Sequence, residues 1–326
     1  MITVIGESLV DIINDPHRAG STQAGPTQSG PTQAHPGGSP LNVAVGVARL
    51  GLATNLVTHY ADDRYGLMIE EHLESNGITV IRGGSAPTST ATATLNPGGA
   101  ATYAFDISWD INGASLPALA AVGGSIHVHT GSIAAVLAPG DHATLTLVKA
   151  ARAHATVSYD PNCRPGLSPD SAAARTQAEV FVAASDVVKA SDEDLAWLYP
   201  DRTPEESMAA WLELGPALVA LTRGADGPVV VTRRGRVEMA AEPVSVADTV
   251  GAGDSFMAGL IGGLARLDAV GAAARSRLAD LDPGELHALA AYANRAAAIT
   301  CSRPGANPPT SAELGSLTGS LTASEG

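Results

Sequence analysis

Short β-branched runs and longer stretches with apolar residues at helical spacing alternate along most of this chain. Ile2-Thr3-Val4-Ile5-Gly6 is apolar and closed by glycine, the pattern of a parallel strand buried on both faces. Glu7 and Asp11 follow at its C-terminal end, where open α/β sheets bind ligands, and Asp11 taken alone reads as a turn residue. From Leu41 to Leu50 the apolar residues recur at helical spacing and stop at Gly51, and Pro40 suits a first helical turn. The same alternation predicts a strand from Asn55 to His59 and a capped helix from Tyr65 to Gly77. Further strands are expected at 78–81, 88–95, 102–105, 125–129, 155–159, 217–221 and 229–232, with Asn96-Pro97-Gly98-Gly99 as a hairpin turn. Helices are expected from Asp254 onward and from Glu285 to Cys301. Strands alternating with helices from residue 2 to about 264 predict an α/β fold, a parallel sheet covered on both faces.

Two stretches break the alternation. Residues 20–34 hold three near-copies of one pentapeptide, Gly-Ser-Thr-Gln-Ala, Gly-Pro-Thr-Gln-Ser and Gly-Pro-Thr-Gln-Ala. Without large apolar residues this segment cannot form a core, and its period is too short for a solenoid, so it reads as a mobile insertion. Residues 311–326 are rich in Ser, Thr, Gly and Ala and read as a frayed tail.

Composition narrows the function. The 326 residues carry a formal net charge of −14, which argues against nucleic acid or an anionic membrane as partner. Aromatics are only 4%, while alanine and glycine are abundant, which favours close packing of helices on the sheet. Cys163 and Cys301 are too few for a disulfide framework. No apolar run is long enough to span a membrane, and the apolar N-terminus lacks a basic leader, so the expected compartment is the cytoplasm.

The candidate chemistry sits in Asp248-Thr-Val-Gly-Ala-Gly-Asp-Ser-Phe256. A glycine turn feeding a helix start points backbone N–H groups and the positive end of the helix dipole at one spot, which suits an anion such as phosphate. Asp254 beside that spot could take a proton from an incoming hydroxyl while the amides hold developing charge. A lone Gly-x-Gly-Asp is more often a simple cap. Here the whole nonapeptide resembles the C-terminal signature of the ribokinase-like (PfkB) carbohydrate kinases. Gly37-Gly38-Ser39-Pro40-Leu41-Asn42-Val43-Ala44 is similar to that family's N-terminal signature, especially its fructokinase branch. Asp160-Pro161-Asn162-Cys163-Arg164 and the loop Thr222-Arg223-Gly224-Ala225-Asp226-Gly227 are similar to further family motifs. No P-loop and no dinucleotide-binding Gly-x-Gly-x-x-Gly accompanies the first strand.

The resemblance, over roughly residues 2–310, implies a ribokinase-like three-layer α/β/α sandwich with a small β lid from segments near 12–36 and 88–107. It implies an ATP-dependent sugar kinase using Mg2+ and, in some members, K+. Asp254 would be the general base and Gly251, Ala252 and Gly253 the anion hole. Asp11, Gly37, Gly38 and Asn42 match sugar-holding positions; Thr222, Gly224, Gly227, Asn162, Arg164, Lys189 and Asn294 are assigned to the nucleotide. Asp194 stands where magnesium is served, although Ser191-x-x-Asp194 replaces the more usual Asn-x-x-Glu. Asp248 matches a position linked to the monovalent cation. Fructose is the favoured substrate, with 2-keto-3-deoxygluconate, ribose, a nucleoside or a non-catalytic sugar-binding role as alternatives, and a homodimer through the lid is expected. His127 and His129 lie on one strand face without a third ligand nearby and read as structural. Phe105 and Trp109 are open between covering a sugar and packing the core.

Overall fold

A computed structural model describes residues 1–14, 32–95 and 101–317. Most of the pentapeptide repeat and the turn expected at 96–99 lie outside the described residues. In the first half the strands are β1 (Ile2–Ile5), β2 (Leu9–Asn14), β3 (Thr32–Gly37), β4 (Thr54–Thr58), β5 (Thr79–Arg82), β6 (Ser89–Leu95) and β7 (Ala101–Asp106). The second half supplies β8 (His127–Gly131), β9 (Thr156–Asp160), β10 (Val187–Ser191), β11 (Leu218–Thr222), β12 (Val229–Thr232) and β13 (Arg236–Glu238).

Nine of these form the central sheet in the order β13-β12-β11-β10-β9-β8-β1-β4-β5. The pairs from β11 through to β5 are parallel, and β12 and β13 close the far edge as antiparallel strands. Successive residues face opposite cores, as parallel sheets require. Ile5, Val188 and Val219 point into one apolar cluster, while Val4 points into a second and Val187 and Leu218 into a third on the other face. The fold is therefore the expected three-layer sandwich.

The abundant small residues let the helices on one face approach closely. A Cβ on Gly46 would stand 2.6 Å from Ala258 Cβ, and one on Gly259 would stand 2.8 Å from Ala293 Cα. These contacts lock helix Ser39–Arg49 and helix Pro283–Cys301 against helix Ala252–Arg266. Helix 39–49 starts with Pro40 in its first turn, as predicted.

The remaining strands form a four-stranded sheet, β3-β2-β6-β7, antiparallel except for the β2–β6 pair. Asp11 is not a turn residue: it lies within β2, paired with His35 on β3 and Ala91 on β6. The tail expected from residue 311 is, as far as residue 317, part of the fold. Thr310 caps a short helix, Ser311–Leu314, and Leu314 and Leu317 are buried beside Leu50 and Tyr292. Among the described residues no helix is long and apolar enough to cross a membrane.

Candidate active site

Two helix starts converge on one carboxylate. Helix 252–266 begins after Gly251, whose φ of 75° is left-handed and whose Cβ would stand 2.6 Å from Ala306 Cβ, so glycine is needed twice over. Helix 39–49 begins after Gly38 (φ 106°), where a Cβ would stand 2.6 Å from the Glu7 carbonyl oxygen. From the first turn of that helix Ser39 Oγ donates to Asp254 Oδ1 at 2.7 Å, and Asn42 Nδ2 donates to Asp254 Oδ2 at 2.8 Å. Asp254 is buried, and each carboxylate oxygen keeps a further lone pair for a substrate hydroxyl.

The expected anion hole is narrower than the sequence suggested. Ala252 N donates to Thr249 O at 3.2 Å, so its N–H is partly used within the turn. The Gly251 and Gly253 amides stand on either side of it at the helix start, where backbone donors lack intrahelical partners.

On one side of Gly253 opens a cleft of about 530 Å³ lined by Asp11, Gly38, Asn42, Phe105, Arg164 and Asp254, among others. The four-stranded sheet walls it through Leu9, Asp11, Ala91 and Phe105. A Cβ on Gly37 would run into Asp11 Oδ2, which accounts for glycine there. Burial raises the Asp11 carboxyl above its ordinary range, with Arg164 and His35 pulling it down. The two aromatics part ways: Phe105 lines the cleft, whereas Trp109 is buried in the core and donates to Thr144 Oγ1 at 3.0 Å.

On the other side lies a cleft of about 580 Å³ that contains Thr222, Gly224, Gly227 and Asn294. Its wall is apolar, with Val244, Val246, Phe256 and Ala297, a surface suited to a flat base. Asn294 Nδ2 donates to Ala240 O at 2.9 Å and so braces that wall. Between the two clefts a third, of about 380 Å³, is lined by Asn162, Arg164, Lys189, Asp194, Thr222 and Gly224. Thr249 and Gly253 line all three, so the clefts meet at the start of helix 252–266.

At that junction Lys189 Nζ donates to Asp160 Oδ2 at 2.9 Å, both side chains being buried. Burial would depress the Lys189 ammonium, but the carboxylates of Asp160 and Asp194 outweigh it and hold it above its ordinary value. Asp160 Oδ1 accepts from Asn162 N at 3.2 Å, fixing the start of a turn in which Asn162 takes a positive φ of 38°. Arg164 Nη1 donates to Asn162 Oδ1 at 2.8 Å and to Cys163 O at 3.2 Å.

Two expected ion-binding carboxylates are occupied by backbone. Asp194 Oδ2 accepts from Ser191 N at 2.8 Å in a capping box, and its Oδ1 accepts from Cys163 N at 2.6 Å. It ties helix Asp192–Leu198 to the 162–164 turn and keeps one further lone pair on each oxygen. Asp248 likewise accepts from Val250 N at 3.1 Å and Gly305 N at 2.9 Å, clasping the 303–306 loop to the Gly251 turn. The histidines are structural: His127 and His129 are buried, share Ser158 Oγ at 2.8 and 2.9 Å, and are held far below their ordinary pKa chiefly by burial. No group of three or more His, Cys, Asp or Glu is arranged for a metal among the described residues.

Two residues received no individual role from the sequence, and Glu7 received only its place past β1. Ser39 lies three positions before Asn42, the spacing that puts both on one helix face. Asp160 ends β9, where open α/β sheets gather their ligands. Glu7, just past β1, lines the cleft walled by the four-stranded sheet at 2% exposure and accepts from Ala134 N at 3.1 Å; burial pushes its carboxyl up to about 7.

Residues 1–313 match the family described as pfkB family carbohydrate kinase. The chain is 32% identical to a fructokinase of Rhizobium leguminosarum bv. trifolii over 269 residues, covering 81% of this chain and 79% of that one. It is 31% identical to fructokinase-1 of Oryza sativa subsp. japonica over 334 residues, 96% of each chain. Among solved structures, the fructokinase from Xylella fastidiosa with bound ATP superposes with a TM-score of 0.82 at 25% identity, over 98% of each chain. With the paired clefts and the signature helix in place, this chain belongs to the pfkB family of carbohydrate kinases and is an ATP-dependent sugar kinase.

Proposed function

We propose that the protein transfers the γ-phosphoryl group of ATP to the 6-hydroxyl of fructose. The observation that carries this reading is the Asp254 carboxylate, held by Ser39 and Asn42 where the two large clefts meet. Sugar occupies the cleft walled by the four-stranded sheet, and the nucleotide base occupies the apolar cleft on the other side of Gly253. Asp254 takes the hydroxyl proton, the sugar oxygen forms a bond to the γ-phosphorus, and the bond to the β-phosphate oxygen breaks to release ADP. General-base help of this kind contributes roughly 10²–10⁴ in rate. The Gly251 and Gly253 amides hold the charge on the transferring group.

Beside Arg164 and Lys189, Asp11, Glu7 and Asp254 give the sugar cleft three carboxyl groups, acceptors suited to sugar hydroxyls. The fructokinase relatives favour fructose over ribose and 2-keto-3-deoxygluconate. Magnesium supplies charge neutralisation to the nucleotide phosphates. It keeps several waters and is held by one or two carboxylates together with substrate phosphates, and Asp194, with one backbone donor on each oxygen, keeps lone pairs for the ion or its waters. If K+ is used, it would act beside Asp248, whose carboxylate clasps the 303–306 loop through Gly305 N.

ADP release should be measured with ATP and magnesium against fructose, ribose, 2-keto-3-deoxygluconate, glucose and adenosine, with Asp254→Ala in parallel. Fructose-dependent turnover that collapses in the variant supports the reading. Turnover on another substrate keeps the chemistry and replaces fructose. Sugar binding without ADP release in the presence of K+ overturns the catalytic reading.

A further inference from the structure

Gly253 has a side-chain-free position that its backbone does not require. It lies inside helix 252–266 without a positive φ, where alanine would ordinarily be the better helix former. The reason for glycine is a neighbour: a Cβ there would stand 2.9 Å from Lys189 Nζ. The ammonium therefore sits directly against the helix turn whose amides face the phosphoryl path. It also lines both the sugar-side cleft and the cleft between sugar and nucleotide. A buried lysine would normally lose its charge or be buried at high cost. Here Asp160, at 2.9 Å and itself 1% exposed, offsets that cost and leaves the other ammonium hydrogens for a further acceptor.

We propose that Lys189 is a catalytic residue that donates to the transferring phosphoryl group beside the Gly251 and Gly253 amides, and that Asp160 is the positioning residue that aims it. This rests on the kinase reading above. As the sugar oxygen bonds to phosphorus and ADP leaves, Lys189 neither gains nor loses a proton; its charge meets the negative charge spread over the equatorial oxygens. Asp160 acts through two bonds, one to Lys189 Nζ and one to Asn162 N, so the cation and the 162–164 turn are set by one carboxylate. The charged or titratable groups around the ammonium are Asp160, Asp194, Asp254 and His129.

The test compares Lys189→Met, Lys189→Arg, Asp160→Asn and the double variant Asp160→Asn/Lys189→Met. The double variant leaves no unpaired buried charge, so it separates loss of fold from loss of the cation. With the panel sugar that the unaltered protein phosphorylates, Lys189→Met and the double variant should lose roughly 10²–10³ in kcat. The KM for sugar should stay within about threefold, since this contact belongs to the transition state. Asp160→Asn should bring the alkaline fall of kcat to lower pH, because the carboxylate that raises the lysine is gone; a purely structural Asp160 would leave that limb in place. Independently of sugar identity, affinity for ADP with aluminium fluoride should fall in the double variant while affinity for ADP alone stays. If the unaltered protein turns over no sugar, the kinase reading falls, and the fluoroaluminate comparison still judges Lys189. Equal fluoroaluminate affinity in the folded double variant, or undiminished kcat, overturns the proposal.

Discussion

Ser39 Oγ donates to Asp254 Oδ1 at 2.7 Å across 215 positions of sequence, joining helix 39–49 to helix 252–266. Together with Asn42 it fixes the plane of the carboxylate, which lines the cleft walled by the four-stranded sheet. Hydrogen bonds to charged groups are worth about 1.5–3 kcal/mol, and losing that orientation in the transition state corresponds to roughly 10–100-fold in kcat. Ser39→Ala should show that loss in steady-state kinetics, with sugar affinity and melting temperature close to those of the unaltered protein. Unchanged kcat would mean that Asn42 alone suffices.

Gly253→Ala probes the steric relation to Lys189 together with the close approach of the Gly253 amide to the clefts. Helix propensity alone predicts a gain of about 1 kcal/mol from this change. The added Cβ would instead push the Lys189 ammonium aside. Misplacing a catalytic group by about 1 Å can cost roughly 10²-fold. The expected outcome is a protein that melts near the original temperature and turns over about a hundred times more slowly. Full activity in Gly253→Ala would separate Lys189 from the chemistry.

What could be read from sequence follows how local each signal is. The Gly251 turn and the Pro40 helix start are contiguous motifs whose backbone demands are visible in a few residues, and both stand where expected. The parallel sheet was legible because short β-branched and apolar runs such as Ile2–Ile5 and Leu218–Thr222 alternate with stretches at helical spacing. β2 was harder: Leu9–Asn14 follows β1 after only three residues with no proline in the break, so Asp11 read as a turn. Ser39 and Asp160 are short polar residues whose roles depend on partners distant in sequence, Asp254 and Lys189, and no spacing announces that. Asp194 carries two signals at once. Its motif position implies a metal contact, and its place three residues after Ser191 makes a capping box that uses one lone pair of one oxygen.

Asp194→Asn distinguishes those two roles. Asparagine keeps one acceptor oxygen but turns an N–H2 group toward a backbone N–H, leaving Ser191 N or Cys163 N unsatisfied. An unmet buried donor costs about 1–3 kcal/mol. Chemical denaturation should show that loss, with the magnesium concentration for half-maximal turnover unchanged. A large rise in required magnesium without lost stability would restore the metal role.

Glu7 makes stability depend on pH in a direction that can be worked out. In the unfolded chain its carboxyl ionises near 4.5, whereas burial raises it to about 7 in the folded protein. Between those values the folded state holds a proton that the unfolded chain has released. The contribution of Glu7 is therefore fully present below about pH 4.5 and is lost as pH rises through about 7. A difference of this size corresponds to at most about 3 kcal/mol. Glu7→Gln retains an acceptor for Ala134 N and carries no charge at any pH. Urea unfolding of both proteins at pH 4.5 and pH 8 should show the variant gaining stability relative to the unaltered protein as pH rises, by up to that amount. A gap between the two that stays flat would mean that the cleft solvates the Glu7 carboxylate and that its burial carries no protonation cost.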